Sequence, residues 1–208
     1  TRQDSSAASD VYKRQDNVQL INLKEFPIHG ISSNSIEADK TYEIDTLILA
    51  TGFDAMTGAL TSIDIIGRGG AKLKDQWETG AKSYLGLGIA NFPNLFTVTG
   101  PGSPSVLSNM MPSIEQHVNW ITDCIDWMET NDKKVIESSK TAEDEWMVLV
   151  NEIADMTIFT DTKSWYNGSN IDSKAKAFLP FIGVPMYAEM LEEVVTEDYK
   201  GFIFDRPN

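Results

Sequence analysis

Two short apolar runs in this chain end in the same pair of residues, a threonine followed by a glycine. The first is IDTLILATG at residues 44–52, and the second is NLFTVTG at residues 94–100. Runs of this length that stop at glycine are typical of buried parallel strands. Doubly wound α/β sheets bind their ligands at the carboxyl ends of such strands. The two runs therefore predict an α/β fold whose strands 44–50 and 94–99 end at a binding site.

The remaining pattern predicts further strands in the first half of the chain and helices in the second. Strands are predicted at 18–23, 28–31, 35–38 and 201–204. One helix begins near Pro112, because proline suits the first turn of a helix, another begins at Thr141, and a third lies around 187–195. Apolar residues recur every three or four positions in the first two helices, which predicts one core-facing stripe on each. The stripes are Ile114, Val118, Ile121, Ile125 and Met128 in the first helix, and Trp146, Leu149, Val150, Ile153 and Met156 in the second.

Charge and composition exclude several classes of protein. With 17 basic and 31 acidic residues the net charge is −14, so the chain repels phosphate backbones and no nucleic acid partner is expected. No apolar run approaches the roughly 18 residues of a membrane span, and no membrane contact is expected. The single cysteine, Cys124, cannot form an internal disulfide and suits a reducing cytoplasm. No metal site is predicted.

The residues around both runs resemble the Baeyer–Villiger monooxygenases, which are FAD- and NADPH-dependent flavin enzymes. The similar segments are DTLILATGFDA at 45–55 and the loop PGSPSVLSNM at 101–110, and the resemblance extends over most of the chain from Asp16 onward. It implies that residues 16–131 are the C-terminal part of a Rossmann-like FAD-binding domain. Residues 132–208 would then form a helical C-terminal region with a lid loop. Residues 1–15 lack any family-like pattern and are predicted to be a non-native or disordered tail.

The resemblance assigns cofactor-binding roles to two segments. Thr51 and Gly52 would contact the cofactors through main-chain groups where the flavin and nicotinamide sites meet, with Phe53 packed behind them. Asn109 and Met110 would lie against the isoalloxazine ring of FAD. The first N–H groups of a helix have no internal partner and carry a partial positive charge. The helix start is therefore expected to stabilise negative charge on the reduced flavin.

The same resemblance implies a substrate pocket and a lid. Ser105, Val106 and Leu107 would line the ketone pocket, and Trp165 would lie on a loop that folds over the nicotinamide and the substrate. The family reads Asn-Ile-Pro-Gly-Lys after this tryptophan, whereas this chain reads NIDSK at 170–174. Losing the proline and glycine is expected to loosen or reshape that turn.

No catalytic residue is assigned within the chain. The family's catalytic arginine and its identifying histidine motif lie upstream of the similar stretch, and no Gly-x-Gly-x-x-Gly fingerprint follows a predicted strand. The chain is therefore predicted to be a C-terminal fragment whose partner is the N-terminal portion of its own protein. His117 is interpreted as structural, since the family's chemistry needs no histidine base at this point.

The implied activity is a Baeyer–Villiger oxidation, in which FAD, NADPH and O₂ convert a ketone into an ester or a lactone. Two alternatives remain open. One is a related flavin monooxygenase that oxidises nitrogen or sulfur. The other is an inactive fragment that cannot bind FAD alone, in which case the purified 208-residue chain is colourless.

Overall fold

The computed structural model describes residues 15–51, 54, 56–104, 109–158, 160–161, 167–168 and 183–205. It combines helices with strands and divides into two compact units, Thr1–Gly52 and Phe53–Asn208. Nearly all of the predicted tail at 1–15 lies outside the described residues. Among the described residues no helix is long and apolar enough to cross a membrane.

The first unit contains a three-stranded antiparallel meander. Its strands are β1 (Gly30–Ile31), β2 (Ser35–Glu37) and β3 (Thr41–Glu43), in the order β1-β2-β3. Ile36 of β2 lies opposite Ile31 on one side and Tyr42 on the other. The strands predicted within 28–31 and 35–38 are therefore confirmed.

The strands predicted at 18–23 and 44–50 are wrong. Neither segment is a strand, and Leu47, Ile48 and Leu49 are 41%, 82% and 73% exposed. A strand requires a neighbour to accept and donate its main-chain hydrogen bonds. Within the residues that the structure describes, no strand pairs with either segment, and both observed sheets are antiparallel. The apolar run at 47–49 accordingly faces solvent.

The second unit is mainly helical. Its helices are α1 (Gly58–Thr61), a 3₁₀ turn (Arg68–Gly70), α2 (Leu73–Gln76), α3 (Met110–Thr130), α4 (Lys140–Asp155) and α5 (Val184–Thr196). Strands β4 (Ile136–Ser138) and β5 (Phe202–Phe204) pair antiparallel, which confirms the predicted final strand. The strand predicted at 94–99 is wrong, because only Phe96 of this segment forms a bridge, to Gly88.

The three long helices lie close to their predicted positions. Helix α3 begins two residues before Pro112, and α5 includes the whole range predicted for the third helix. Helix α4 is capped by Ser139, whose Oγ accepts a hydrogen bond from the N–H of Ala142 at 3.1 Å. It therefore begins at Lys140 rather than at Thr141.

The core-facing stripe of α3 includes Met128 as predicted, but its other four positions lie one residue before the predicted ones. Its buried residues are Ser113, His117, Trp120, Cys124 and Met128. Val118 and Ile125, which the prediction assigned to the stripe, are 45% and 43% exposed. The reason is the aromatic partner that α3 meets, since Trp120 packs edge-on against Tyr199 with 5.3 Å between the ring centroids.

The main core joins the segment around Leu85 to the inner faces of α3, α4 and α5. Trp146 and Val150 are its buried residues from α4, and Tyr187 and Leu191 come from α5. Residues from both sides of the predicted boundary at 131/132 therefore share this core. The division into 16–131 and 132–208 stays a prediction.

Candidate functional site

Buried hydrogen bonds fix the main chain of residues 100–104, which precede α3. Ser83 Oγ donates to the carbonyl of Pro101 at 2.6 Å, and Trp146 Nε1 donates to the carbonyl of Gly102 at 3.0 Å. Within the loop, Ser103 Oγ donates to the carbonyl of Gly100 at 2.8 Å. Buried carbonyls that are paired in this way hold a loop in one conformation, because leaving them unpaired costs free energy.

Glycines allow this loop to approach the preceding segment closely. Gly86 has a φ of +73°, and a Cβ there would lie 2.5 Å from Cβ of Ser103. Gly102 has a φ of +88°, and a Cβ there would lie 2.8 Å from Oγ of Ser83. Thr97 also holds Gly86 in place, since its Oγ1 donates to the carbonyl of Gly86 at 2.7 Å. A side chain at either glycine would push the loop away from its support.

A buried histidine and tyrosine hold the start of the loop. The N–H of Thr99 donates to Nδ1 of His117 at 2.9 Å, and Nε2 of His117 lies 3.0 Å from the hydroxyl of Tyr187. That hydroxyl donates to the carbonyl of Leu85. His117 is therefore satisfied at both ring nitrogens and 1% exposed, as its structural interpretation predicts.

Burial keeps both side chains neutral. It lowers the pKa of His117 from 6.5 to about 4, because the imidazolium would be desolvated. It also raises the pKa of Tyr187 well above its ordinary value for the same reason. A neutral His117 that accepts at Nδ1 carries its proton on Nε2, so this nitrogen donates to the tyrosine oxygen. Neither group is poised to exchange protons near neutral pH.

The loop leads to the amino end of α3, where the partial positive charge of the helix lies. Asn109 caps the helix, with its Oδ1 accepting from the N–H of Met111 at 3.0 Å. The first turn holds no acidic residue, although the chain has 31. The partial positive charge of a 21-residue helix is thus not cancelled by a carboxylate in its first turn. Such an end suits an anionic group.

Two buried carboxylates support the segment that carries Gly86. Glu143 Oε1 accepts from the N–H of Ala90 at 2.9 Å, and Glu137 Oε1 accepts from the N–H of Asn91 at 3.1 Å. Glu137 also pairs with the Nε of Arg68. Burial raises the pKa of Glu143, and the hydrogen bond from Ala90 opposes this effect. These carboxylates hold the main chain of residues 90 and 91.

The structure describes three of the nine predicted site residues. Thr51 is exposed at the end of the first unit, whereas Asn109 and Met110 lie together at the start of α3 in the second. The other six lie outside the described residues: Gly52, Phe53, Ser105, Val106, Leu107 and Trp165. All nine assignments stay predictions. Among the residues that the structure describes, no three His, Cys, Asp or Glu side chains are grouped as a metal site requires.

The residues that hold the loop could not be predicted from the sequence. Ser83, Trp146 and His117 lie 18 to 44 positions from the loop groups they bind, so no local spacing connects them. Only the burial of Glu143 could have been inferred from the local sequence. Glu143 precedes Trp146 by three positions and therefore lies on the same helical face as a core aromatic residue.

Comparison with known proteins connects this geometry to a family. No protein-family model matches the chain. The chain is 40% identical over 190 residues to phenazine N-monooxygenase PhzNO1 of Lysobacter antibioticus, covering 90% of this chain and 35% of that protein. It is also 40% identical over 200 residues to a Baeyer–Villiger monooxygenase of Pseudooceanicola batsensis, covering 95% of this chain and 36% of that protein. The chain is a relative of the Baeyer–Villiger monooxygenases.

Solved structures agree with this relationship. Cyclohexanone monooxygenase from Rhodococcus sp. Phi1 bound to NADP⁺ matches with a TM-score of 0.88 and 37% identity, over 95% of this chain and 37% of that one. The complex of OTEMO with FAD and NADP matches with a TM-score of 0.85 and 32% identity, over 91% of this chain and 35% of that one. The chain thus spans about a third of the Baeyer–Villiger monooxygenases and other monooxygenases that it matches.

Proposed function

We propose that this chain forms the C-terminal third of a flavin-dependent monooxygenase that oxidises ketones to esters or lactones. The observation that carries the proposal is the match to cyclohexanone monooxygenase, with a TM-score of 0.88 over 95% of the chain at 37% identity. The other part of the active site would come from the roughly two thirds of the relatives' length that this chain does not match. The chain's fold is then the end of a Rossmann-like FAD-binding domain, followed by a helical region. Its cytoplasmic location stays a prediction from Cys124.

The residues at the start of α3 fit a flavin. The partial positive charge at the start of α3, which has no carboxylate in its first turn, and the amide of Asn109 both suit the pyrimidine edge of the ring. This edge gains negative charge on reduction. The chemistry that FAD supplies when bound is electron transfer from NADPH and activation of O₂. Asn109 and Met110 would hold one edge of the ring, and Thr51, Gly52 and Phe53 would hold the junction with NADP.

The role of this chain in the reaction would be to position the ketone beside the flavin and to exclude water from the pocket. Ser105, Val106 and Leu107 would line the ketone pocket, and the buried loop before them would keep that pocket in register with the ring. Trp165 would close over the nicotinamide and the substrate. The overall reaction consumes one ketone, one O₂, one NADPH and one proton, and it yields one ester or lactone, one water and one NADP⁺. No side chain of this chain is assigned to proton transfer, and no nucleic acid or membrane partner is proposed.

Oxidation of an aromatic nitrogen is the second candidate function. The relative PhzNO1 is a phenazine N-monooxygenase and is as similar in sequence, at 40% identity, as the Baeyer–Villiger monooxygenase of Pseudooceanicola batsensis. Both reactions are monooxygenations, and they differ in which substrate atom receives the oxygen. The choice depends on the pocket rather than on the helix start.

One experiment separates the two functions. The full-length protein that carries this chain is incubated with NADPH, ¹⁸O₂ and either a cyclic ketone or phenazine, and the products are measured by mass spectrometry. We expect a lactone that carries one ¹⁸O atom. An N-oxide without any lactone would establish the second function instead, and FAD-loaded protein that oxidises neither substrate would contradict both.

The role of the helix start has its own test with a matched control. Asn109→Asp places a carboxylate beside the ring, and Asn119→Asp makes the same change at an exposed position in the middle of α3. We expect Asn109→Asp to lower the reduction potential of bound FAD by about 20–60 mV, as a nearby charge does at a partly screened site. Equal potentials in the two variants would contradict a flavin at this end of α3.

A further inference from the structure

Thr99 adopts a main-chain conformation that its residue type disfavours. Its φ is +52°, in the left-handed region, where the branched Cβ of threonine crowds the main chain. A conformation of this kind persists only when surrounding contacts hold it, and such residues cluster at functional sites. Thr99 directly precedes the buried loop residues 100–104, so its conformation sets the direction in which the loop leaves.

The contact that holds Thr99 is its N–H donating to Nδ1 of His117 at 2.9 Å. His117 is the eighth residue of α3 and is 1% exposed, so the acceptor side of this bond is shielded from water. The histidine is in turn oriented by Tyr187, the fourth residue of α5, which lies 3.0 Å from Nε2. Both rings therefore have a defined orientation.

Tyr187 connects the turn at Thr99 to the segment around Leu85, against which the loop packs. Its hydroxyl donates to the carbonyl of Leu85, and the neighbouring Gly86 packs against Ser103 within the loop. The directions of the three bonds agree with one another. The N–H of Thr99 donates to Nδ1 of His117, Nε2–H donates to the oxygen of Tyr187, and the hydroxyl proton of Tyr187 goes to Leu85.

We propose that His117 and Tyr187 are a positioning pair, which fixes the turn at Thr99 relative to Leu85 and so aligns the loop that leads to the cofactor-facing start of α3. The inference rests on the proposed flavin function for its effect on catalysis. Its effect on the turn at Thr99 does not depend on that function. A core histidine without this role would contribute to stability and leave the flavin unaffected.

The test compares four variants of the full-length protein. His117→Leu removes both ring hydrogen bonds, whereas His117→Asn offers an amide oxygen near the position of Nδ1. Tyr187→Phe removes only the hydroxyl, and Met128→Ala is the control because it opens a cavity in the buried face of the same helix, away from the loop. Amide exchange at Thr99, the visible spectrum of FAD, and kcat and KM for the ketone are measured.

We expect His117→Leu to speed exchange at Thr99 by about fivefold to tenfold beyond the change in Met128→Ala, the factor for one lost buried hydrogen bond. His117→Asn should restore most of that protection. His117→Leu and Tyr187→Phe should shift the flavin absorption band and lower kcat more than they raise KM, whereas Met128→Ala should do neither.

Several results would overturn the inference. One such result is that amide exchange at Thr99 speeds up equally in His117→Leu and Met128→Ala, in proportion to their loss of global stability. An unchanged flavin spectrum and kcat in both His117→Leu and Tyr187→Phe is another. If His117→Leu does not fold, the milder Tyr187→Phe decides alone. A wild-type protein that binds no FAD would defeat the proposed function, while exchange at Thr99 would still decide whether the pair holds the turn.

Discussion

Replacing Gly86 by alanine tests whether the loop before α3 is held as tightly as its contacts imply. The φ of +73° makes any Cβ at this position unfavourable, at about 1–2 kcal/mol. The new Cβ would also lie 2.5 Å from Cβ of Ser103, 2.7 Å from its N and 3.0 Å from its Cα. Ordinary carbon contacts begin near 3.5 Å, so the loop must move by about 1 Å. Overpacking of this kind adds about 1–3 kcal/mol.

Gly69 provides a matched control, because its φ is +60° and a Cβ there would meet nothing within 4 Å. Gly69→Ala should therefore show only the conformational cost, whereas Gly86→Ala should show both. Urea unfolding followed by tryptophan fluorescence measures the difference. With a slope of about 2 kcal/mol per molar urea, the midpoint of Gly86→Ala should lie roughly 0.5–1.5 M below that of Gly69→Ala. Coincident midpoints would refute the close approach of residue 86 to the loop.

Three further predictions follow from the described contacts. Glu137→Ala removes the carboxylate that pairs with Arg68, so the free energy of unfolding should fall by about 3–5 kcal/mol. The control Asp144→Ala removes the exposed ion pair with Lys140 and should change the free energy of unfolding by less than about 1 kcal/mol. Equal losses in the two variants would contradict the burial of Glu137. The pKa of His117 is lowered from 6.5 to about 4, so between these values the unfolded chain binds a proton that the folded protein does not. Stability should fall as the pH drops through that window, and His117→Leu should flatten the fall measured by denaturation at several pH values. The purified 208-residue chain should be colourless, and stoichiometric yellow FAD in that preparation would contradict the prediction that this fragment cannot bind FAD alone.

The long helices could be predicted because their signals are local. The four-and-three spacing of apolar residues predicts α3, and the position of Pro112 predicts its start to within two residues. The buried face was harder to predict. It contains two polar residues, Ser113 and His117, and His117 bonds to Tyr187, which lies 70 positions away in the chain.

The strands could not be predicted in the same way, because a strand is defined by its neighbour. The run at 44–50 has the composition of a buried strand, yet no strand among the described residues pairs with it. The run at 94–99 leaves the extended conformation at both ends. Asn94 and Thr99 have φ values of +56° and +52°, in the left-handed region. Apolar composition therefore identifies segments that could form a strand, but it does not identify the neighbouring strand with which each would pair.

The loop was predicted as a functional segment only through its resemblance to known enzymes. Nothing in PGSPSVLSNM alone distinguishes a flavin-facing loop from an ordinary connection before a helix. Its support comes from Ser83, Trp146 and His117, which lie on separate elements. Folding brings these residues together, so their convergence becomes visible only in three dimensions.

A crystal structure of the full-length protein with FAD is the most direct measurement of the central claim. We predict that Asn109 and Met110 at the start of α3 both lie within about 4 Å of the isoalloxazine ring. An isoalloxazine ring that touches neither residue would contradict this claim.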